Sequence, residues 1–220
     1  MNYNIISSNS KGNAVVIRDV ILLDCGVTFR SLENWYKNLK IVFLTHIHSD
    51  HFNKTTIKRL SEERPTLRFA CGEWLLEPLL ACGVDRKNID VLRIGLTYDY
   101  KLFKVTPVKL YHDVPQCGYR VIFNGFKLFY ATDTRTLEGI SAKNYDLYLI
   151  EGNYDEQEMQ ERIKEKEEKG GFIYEYRAKK NHLSKQAATD FLIRNMGDNS
   201  KYIFMHEHVE REQICNVQDN

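Results

Sequence analysis

The stretch Ile41-Val42-Phe43-Leu44-Thr45-His46-Ile47-His48-Ser49-Asp50-His51 decides how the rest of the chain is read. Its first four residues are wholly apolar and of strand length, and the polarity inverts abruptly at Thr45-His46. A buried strand feeding a polar loop is where α/β-type enzymes commonly place their chemistry. In that loop His46, His48, Asp50 and His51 offer four candidate ligands within six residues. Imidazole nitrogen and carboxylate oxygen suit zinc, and His-rich sites also accept manganese, iron or nickel. The spacing His46-x-His48 sets two imidazoles on one side of an extended segment. Asp50 and His51 lie past a turn and do not easily reach the same ion, so the pattern favours two neighbouring metals over one crowded one. The bland competitor is a polar loop that merely caps the following helix.

Working outward, Val15-Val16-Ile17 and Val20-Ile21-Leu22-Leu23, separated by Arg18-Asp19, predict a hairpin. The residues before them, from Met1 to Ile6, read as a first strand, with neither a basic nor an apolar segment of a signal peptide. Phe29 to Leu39 has apolar residues near helical spacing and predicts a short helix. Downstream, Asn53 is placed to cap a helix through Leu60. A strand over Leu67 to Ala70 and a helix over Glu73 to Ala81 follow. Leu92 to Ile94, Lys101 to Val105 and Val108 to Tyr111 all read as β-like. Asn124-Gly125 between two strand-like runs favours a type I′ turn, in which both central residues need positive φ. Leu147 to Ile150 is a buried strand. Asp155 to Lys169, dense in Glu, Lys, Gln and Arg, reads as a solvated helix ended by Gly170-Gly171. Ser184 caps a last helix to about Asn195, Tyr202 to Met205 makes the last strand, and a polar tail begins at about 210.

The chain of 220 residues is long enough for one sizeable core and short for two, so a single domain over 1–220 is expected. No run approaches a membrane span. Five scattered cysteines without a Cys-x-x-Cys pair argue against a disulfide framework or zinc ribbon, and point to a reducing, cytoplasmic setting. The net charge of +1 makes no global demand for nucleic acid, which would need a local basic patch. Strand-rich halves, each followed by helices, suggest two packed sheets with helices outside.

The motif His46-x-His48-x-Asp50-His51 directly after an apolar strand resembles the signature of the metallo-β-lactamase superfamily. The resemblance runs over almost the whole chain, in the family's order. Ser7 to Asn13 and Leu22-Leu23-Asp24-Cys25-Gly26 look like its opening strands. His112-Asp113, Ala131-Thr132-Asp133-Thr134, Asn181-His182-Leu183-Ser184 and Phe204-Met205-His206 look like its later motifs. Taken together, with Glu151 to Asp155, they are most similar to the small bacterial WalJ (YycJ) subgroup, linked to DNA exonuclease activity. The resemblance implies an αββα sandwich of two mixed sheets flanked by helices, with two divalent metal ions, zinc or alternatively manganese, at the sheet edge. By position, His46, His48 and His112 would hold one ion, Asp50, His51 and His206 the second, and Asp133 would bridge them. His208, two residues on and facing the same side of a strand, competes with His206. Asp24 is a candidate to orient a ligand imidazole, and Glu151 a supporting or structural residue.

Two metals about 3.5–4 Å apart share a water and lower its pKa, which yields a bridging hydroxide near neutral pH. That hydroxide serves a phosphodiester, a lactone, a β-lactam or a thioester alike. Asp50, Asp133 and His182 are the residues expected to act in the reaction itself. In the nucleases of the superfamily a histidine in a His-x-Ser setting comparable to His182 can donate a proton to the leaving oxygen; the alternative is that His182 helps to cap the helix at Ser184. Arg177, Lys179, Lys180 and Lys185 surround it and would attract a phosphate backbone, or form a solvated basic loop. Phe172, Tyr174 and Tyr176 alternate, as in a strand face or a base-stacking platform. The expectation is a phosphodiesterase acting on nucleic acid, DNA more than RNA, with no membrane partner. A hydrolase of small carboxyl derivatives is the alternative, and a metal-bound regulator without turnover is a third. A flavodiiron-type oxidoreductase is set aside, because such proteins carry an acid at the position of His48.

Overall fold

The structure, a computed structural model, describes residues 2–170 and 173–207. Gly171, Phe172, His208 and the expected polar tail lie outside these residues. Six strands form the first sheet: β1 (Tyr3–Asn9), β2 (Gly12–Ile17), β3 (Ile21–Leu23), β4 (Ile41–Leu44), β5 (Arg68–Cys71) and β6 (Ile89–Val91), in that spatial order. Helices α1 (Lys54–Glu63) and α2 (Leu76–Ala81) fall between β4 and β6. The second sheet contains β7 (Tyr98–Asp99), β8 (Phe103–Lys109), β9 (Cys117–Phe123), β10 (Phe126–Ala131), β11 (Leu147–Glu151) and β12 (Lys201–Met205), again in sequence order. Helices α3 (Glu156–Lys169), α4 (Glu175–Asn181) and α5 (Lys185–Asn195) are inserted between β11 and β12.

The layers follow from the two-residue period of a strand. Along β4, Ile41 and Phe43 join the core between the sheets, while Val42 and Leu44 join the core under α1. Along β10, Leu128 and Tyr130 face the inner core, and Phe129 and Ala131 pack toward Phe191 of α5. Both faces of these strands are covered, which is why they read as continuous apolar runs rather than alternating ones. Each such large side chain removed from water contributes roughly 1.5–3 kcal/mol. The result is the αββα sandwich of two mixed sheets that the sequence predicts.

Strand direction places the chemistry. β3, β4, β5 and β6 are mutually parallel, so their C-terminal ends share one edge. β8 and β10 both run antiparallel to β9, hence parallel to each other, and β11 and β12 continue in that direction. Asp24 and Thr45-His46 therefore leave one sheet, and His112, Asp133, Glu151 and His206 leave the other, all at C-terminal strand ends.

Several local expectations hold. Asn53 accepts from Thr56 N and caps α1, Gly170 ends α3 in the left-handed conformation (φ 69°), and Ser184 caps α5; Asp155, read as the start of α3, precedes it as its cap. Others need correction. Phe29 to Leu39 forms only a 3₁₀ turn over Phe29–Leu32 followed by further turns. The strand expected at Leu92 to Ile94 lies earlier, at Ile89–Val91, where it pairs with β5. The two runs Lys101 to Val105 and Val108 to Tyr111 are one strand, β8, continuous through Pro107. At Asn124-Gly125 only the glycine has positive φ (82°), so the turn is not type I′. The double left-handed pair occurs instead at Arg18 (51°) and Asp19 (60°), closed by Val20 N donating to Ile17 O. Tyr174 and Tyr176 do not alternate along a strand: Tyr176 lies in α4 and Tyr174 precedes it, and both are exposed.

Candidate metal centre

The loop after β4 is pinned from four directions. Tyr119 OH donates to Leu44 O (2.5 Å) and Trp74 Nε1 to Thr45 O (3.1 Å), which holds the strand end. Asn13 N donates to Asp50 O (2.6 Å). Gly26 packs so closely that a Cβ there would lie 1.7 Å from Asp50 O, so any side chain at this position would displace the loop.

Two groups of side chains converge at the edge. His46, His48 and His112 form one, and Asp50, His51, Asp133 and His206 form the other, each with ligand-capable atoms mutually within 4.8 Å. Asp133, Glu151, His182 and His206 form a third, overlapping group. All seven residues expected as ligands are thus brought to one place. His208 lies outside the described residues.

Hydrogen bonds set which nitrogen of each imidazole is bare. Thr45 Oγ1 donates to Asp24 Oδ1 (2.9 Å) and so accepts from His46 Nδ1 (2.9 Å), leaving His46 Nε2 unprotonated. That nitrogen is buried and has no hydrogen-bond partner. His112 Nδ1 donates to Asn181 O (3.1 Å), which bares Nε2. His48 Nε2 lies 3.3 Å from Asp113 Oδ1. His48 Nδ1 faces the bare Nε2 of His112 at 3.3 Å. An orphaned buried nitrogen with two further imidazole nitrogens converging beside it is what a cation relieves, so these residues fit a metal.

The other group is charged. His51 Nδ1 donates to Asp24 Oδ2 (2.7 Å), and its Nε2 lies 2.8 Å from Asp133 Oδ2 and 3.6 Å from Asp50 Oδ2. His206 Nε2 lies 3.2 Å from Asp50 Oδ2 and 3.5 Å from Asp133 Oδ1. Burial works against the charge on His51, but Asp133 and Asp24 outweigh it and raise its pKa to about 10. Burial likewise opposes charge on His206, yet Asp133 and Asp50 hold it well above the ordinary imidazole value. Asp133 is held well below the usual carboxylate range, the neighbouring His51 and His206 overcoming its burial. In contrast, burial depresses His46 and His112. Protons occupy the carboxylate group where a divalent ion would sit; in the histidine group His46 and His112 offer neutral rings ready to ligate.

A profile of the beta-lactamase superfamily domain matches residues 19–206. The chain belongs to the metallo-β-lactamase superfamily. This superfamily comprises metal-dependent hydrolases. Exodeoxyribonuclease WalJ of Streptococcus pneumoniae (strain D39) is 23% identical over 238 aligned residues, covering 96% of this chain and 82% of that protein. Cytidine monophosphate-N-acetylneuraminic acid hydroxylase of Xenopus laevis is 32% identical over 72 residues, and this chain spans only 12% of its length. Among solved structures, the metallo-β-lactamase fold protein YhfI of Bacillus subtilis superimposes with a TM-score of 0.72 at 16% identity, covering 96% of this chain and 88% of that one. The short form of human tRNase Z superimposes with a TM-score of 0.71 at 17% identity, covering 97% and 94%. Among the described residues no helix is long and apolar enough to cross a membrane.

Several supporting residues of this metallo-β-lactamase site carried no role in the sequence. Fully buried Asn13 places Nδ2 2.9 Å from His51 Nε2 and 3.3 Å from Asp50 Oδ2. Tyr130 OH donates to Asp24 Oδ2 (2.9 Å), and Asn153 Nδ2 donates to His206 O (2.7 Å). Neither spacing nor polarity distinguishes these residues from ordinary core. Asp24 accepts from Thr45 and His51 together, so it orients imidazoles of both groups, as expected of it. Glu151, fully buried, lies 2.6 Å from His182 Nδ1 and accepts from Thr134 N (2.8 Å) and Leu183 N (3.1 Å).

Proposed function

We propose that this protein is a dinuclear metal-dependent phosphodiesterase acting on nucleic acid, DNA ahead of RNA, in the manner of the WalJ exonucleases. In this reading His46, His48 and His112 hold one divalent ion, Asp50, His51 and His206 the other, and Asp133 lies between them. Zinc fits this mixed nitrogen and oxygen set, with manganese the second choice. When bound, such ions polarise a phosphoryl oxygen and lower the pKa of water.

The observation that carries the reading is the Glu151–His182 pair. His182 Nδ1 is held by Glu151 at 2.6 Å, and the His182 ring lies 5.2 Å from both the His206 and the His112 ring. Burial disfavours a charged imidazole here, but the hydrogen bond and charge of Glu151 outweigh it, so His182 holds its proton at higher pH than a free histidine. A protonated imidazole fixed through Nδ1 has Nε2–H left to give to a leaving alkoxide. Ser184, not His182, supplies the side-chain cap of α5, which frees His182 from the capping role. Exposed Lys179 and Lys180 of α4, close to it in sequence, add positive charge suited to a phosphate backbone, while Arg177 and Lys185 pair with Asp113 and Glu207. The name of the sequence relative, an exodeoxyribonuclease, points the same way.

The test is cleavage of end-labelled single- and double-stranded DNA, with an RNA of the same sequence, in zinc or manganese, beside Asp133→Ala. Metal-dependent cleavage lost in the variant is the expected result. Well-folded, metal-loaded protein that leaves all polymers intact but hydrolyses a lactone or thioester would overturn it in favour of a small-molecule hydrolase.

A further inference from the structure

The two halves of the centre differ in how their charge is balanced. The carboxylate half contains Asp50 and Asp133, with Asp24 and Glu151 behind. The histidine half, His46, His48 and His112, contains no acid. One carboxylate outside it does reach in. Asp113 places Oδ1 3.3 Å from His48 Nε2 and 3.2 Å from His112 Nε2, and Oδ2 3.6 Å from the Arg177 guanidinium of α4. Its side chain is 31% exposed, that of His48 33% and that of Arg177 71%, so the three form a path from solvent to the rim of the centre.

The first contact sets a carboxylate behind the His48 ring, 3.3 Å from Nε2, while the opposite nitrogen, Nδ1, faces His112 Nε2 at 3.3 Å. Beside it the His48 ring meets only imidazoles among the polar groups it contacts in the described residues, the rings of His46 and His112 edge-on at 4.8 and 5.0 Å, so Asp113 is the one carboxylate positioned to orient it. The second contact sets a carboxylate oxygen against a bare imidazole nitrogen, a pairing of two acceptors that is favourable only with positive charge beside it. The third joins α4 to the same carboxylate.

We propose that Asp113 is the positioning residue of the histidine half: it orients His48 for ligation, supplies the anion that this half lacks, and docks α4 through Arg177 at its rim. The proposal rests on the metal-centre reading and not on the identity of the substrate. A partner behind a ligand imidazole typically sets metal affinity by about 10–100-fold.

The experiment is competition for zinc against a chromogenic chelator, with visible spectra of the cobalt(II)-loaded protein, for wild type, Asp113→Ala, Asp113→Asn and Arg177→Met. Wild type is expected to take up two ions. Asp113→Ala should weaken one of them by about 10–100-fold, leave the other within about twofold, and alter only part of the cobalt spectrum. Asp113→Asn, which keeps an acceptor oxygen for His48, should recover part of the loss. Arg177→Met should keep both affinities, because His48 retains its partner. Thermal unfolding of the metal-free proteins should coincide, which a general structural defect would not allow. Two unchanged affinities in Asp113→Ala, or equal loss of both ions, would overturn the role of Asp113 alone; a wild type that takes up no metal would overturn the metal centre with it.

Discussion

The histidine half and the carboxylate half of the centre are built from the same loop but solve opposite problems. In the first, burial strips protons from His46 and His112, and hydrogen bonds to Thr45 and Asn181 turn bare nitrogens inward. In the second, Asp133, Asp50 and Asp24 hold protons on His51 and His206. One half is ready for a cation and weakly charged; the other is strongly charged and must exchange protons for the metal. Asp24 and Asp133 connect them, Asp24 through Thr45 to His46 and directly to His51, and Asp133 by its field on His46 and His112 and its contact with His51.

The largest effect should come from the residue shared by the halves. Asp133→Ala should release metal from both, beyond the ~10–100-fold that an outer partner costs, and abolish hydrolysis; zinc content after dialysis reads it. His182→Ala removes none of the expected ligands. It should keep two ions while lowering kcat by roughly 10²–10⁴-fold, with a smaller loss on a substrate whose leaving group needs no proton. Asp24→Ala strips a buried acceptor from Thr45, His51 and Tyr130 at once. It should destabilise the metal-free fold by about 3 kcal/mol, since each buried donor left unpaired costs ~1–3 kcal/mol, and chemical denaturation measures it.

The mildest test is pH. The folded-state pKa of His51 is raised from 6.5 to about 10, so the stability its proton contributes is complete below pH 6.5 and is lost as pH rises through about 10. A metal entering this half displaces that proton. Its affinity should therefore increase with pH across the same window, by up to about tenfold per unit. The histidine half, its His46 and His112 already neutral, should be nearly flat there. Calorimetry in buffers of different ionisation enthalpy counts the protons released.

Three of the residues that define the centre, Asp24 (φ 57°), Asp133 (54°) and His206 (55°), take the left-handed backbone conformation. Left-handed non-glycine residues are uncommon, and strain of this kind persists where surrounding contacts over-determine it. Here each lies just past the end of a strand, where the chain must turn its side chain into the edge. Residue identity alone does not announce this. Asn124-Gly125 has the composition of a double left-handed turn but uses only its glycine, whereas Arg18-Asp19 has no such composition and adopts it. The hairpin register, Ile17 opposite Ile21, decided that turn.

What the sequence determined by itself was local. Four ligand-type residues in one loop, the apolar run that delivers them, and the helix ends at Asn53, Gly170 and Ser184 depend on neighbours a few positions away, and periodicity and capping chemistry express such dependence directly. The broken turn at Phe29–Leu32 and the single strand through Pro107 were not legible, because packing rather than propensity chose them; the helix over Glu175–Asn181, made largely of helix-favouring Glu, Arg, Ala and Lys, was overlooked for its aromatic alternation. His112, Asp133 and His206 could be placed only through the family's order of motifs, and Asn13, Asp113, Tyr130 and Asn153 had no signal that marked a role at the site. The tertiary structure assembled these residues. Strands separated by tens of residues run in one direction in each sheet, so their ends meet at one edge, and only there do hydrogen bonds assign each imidazole its proton.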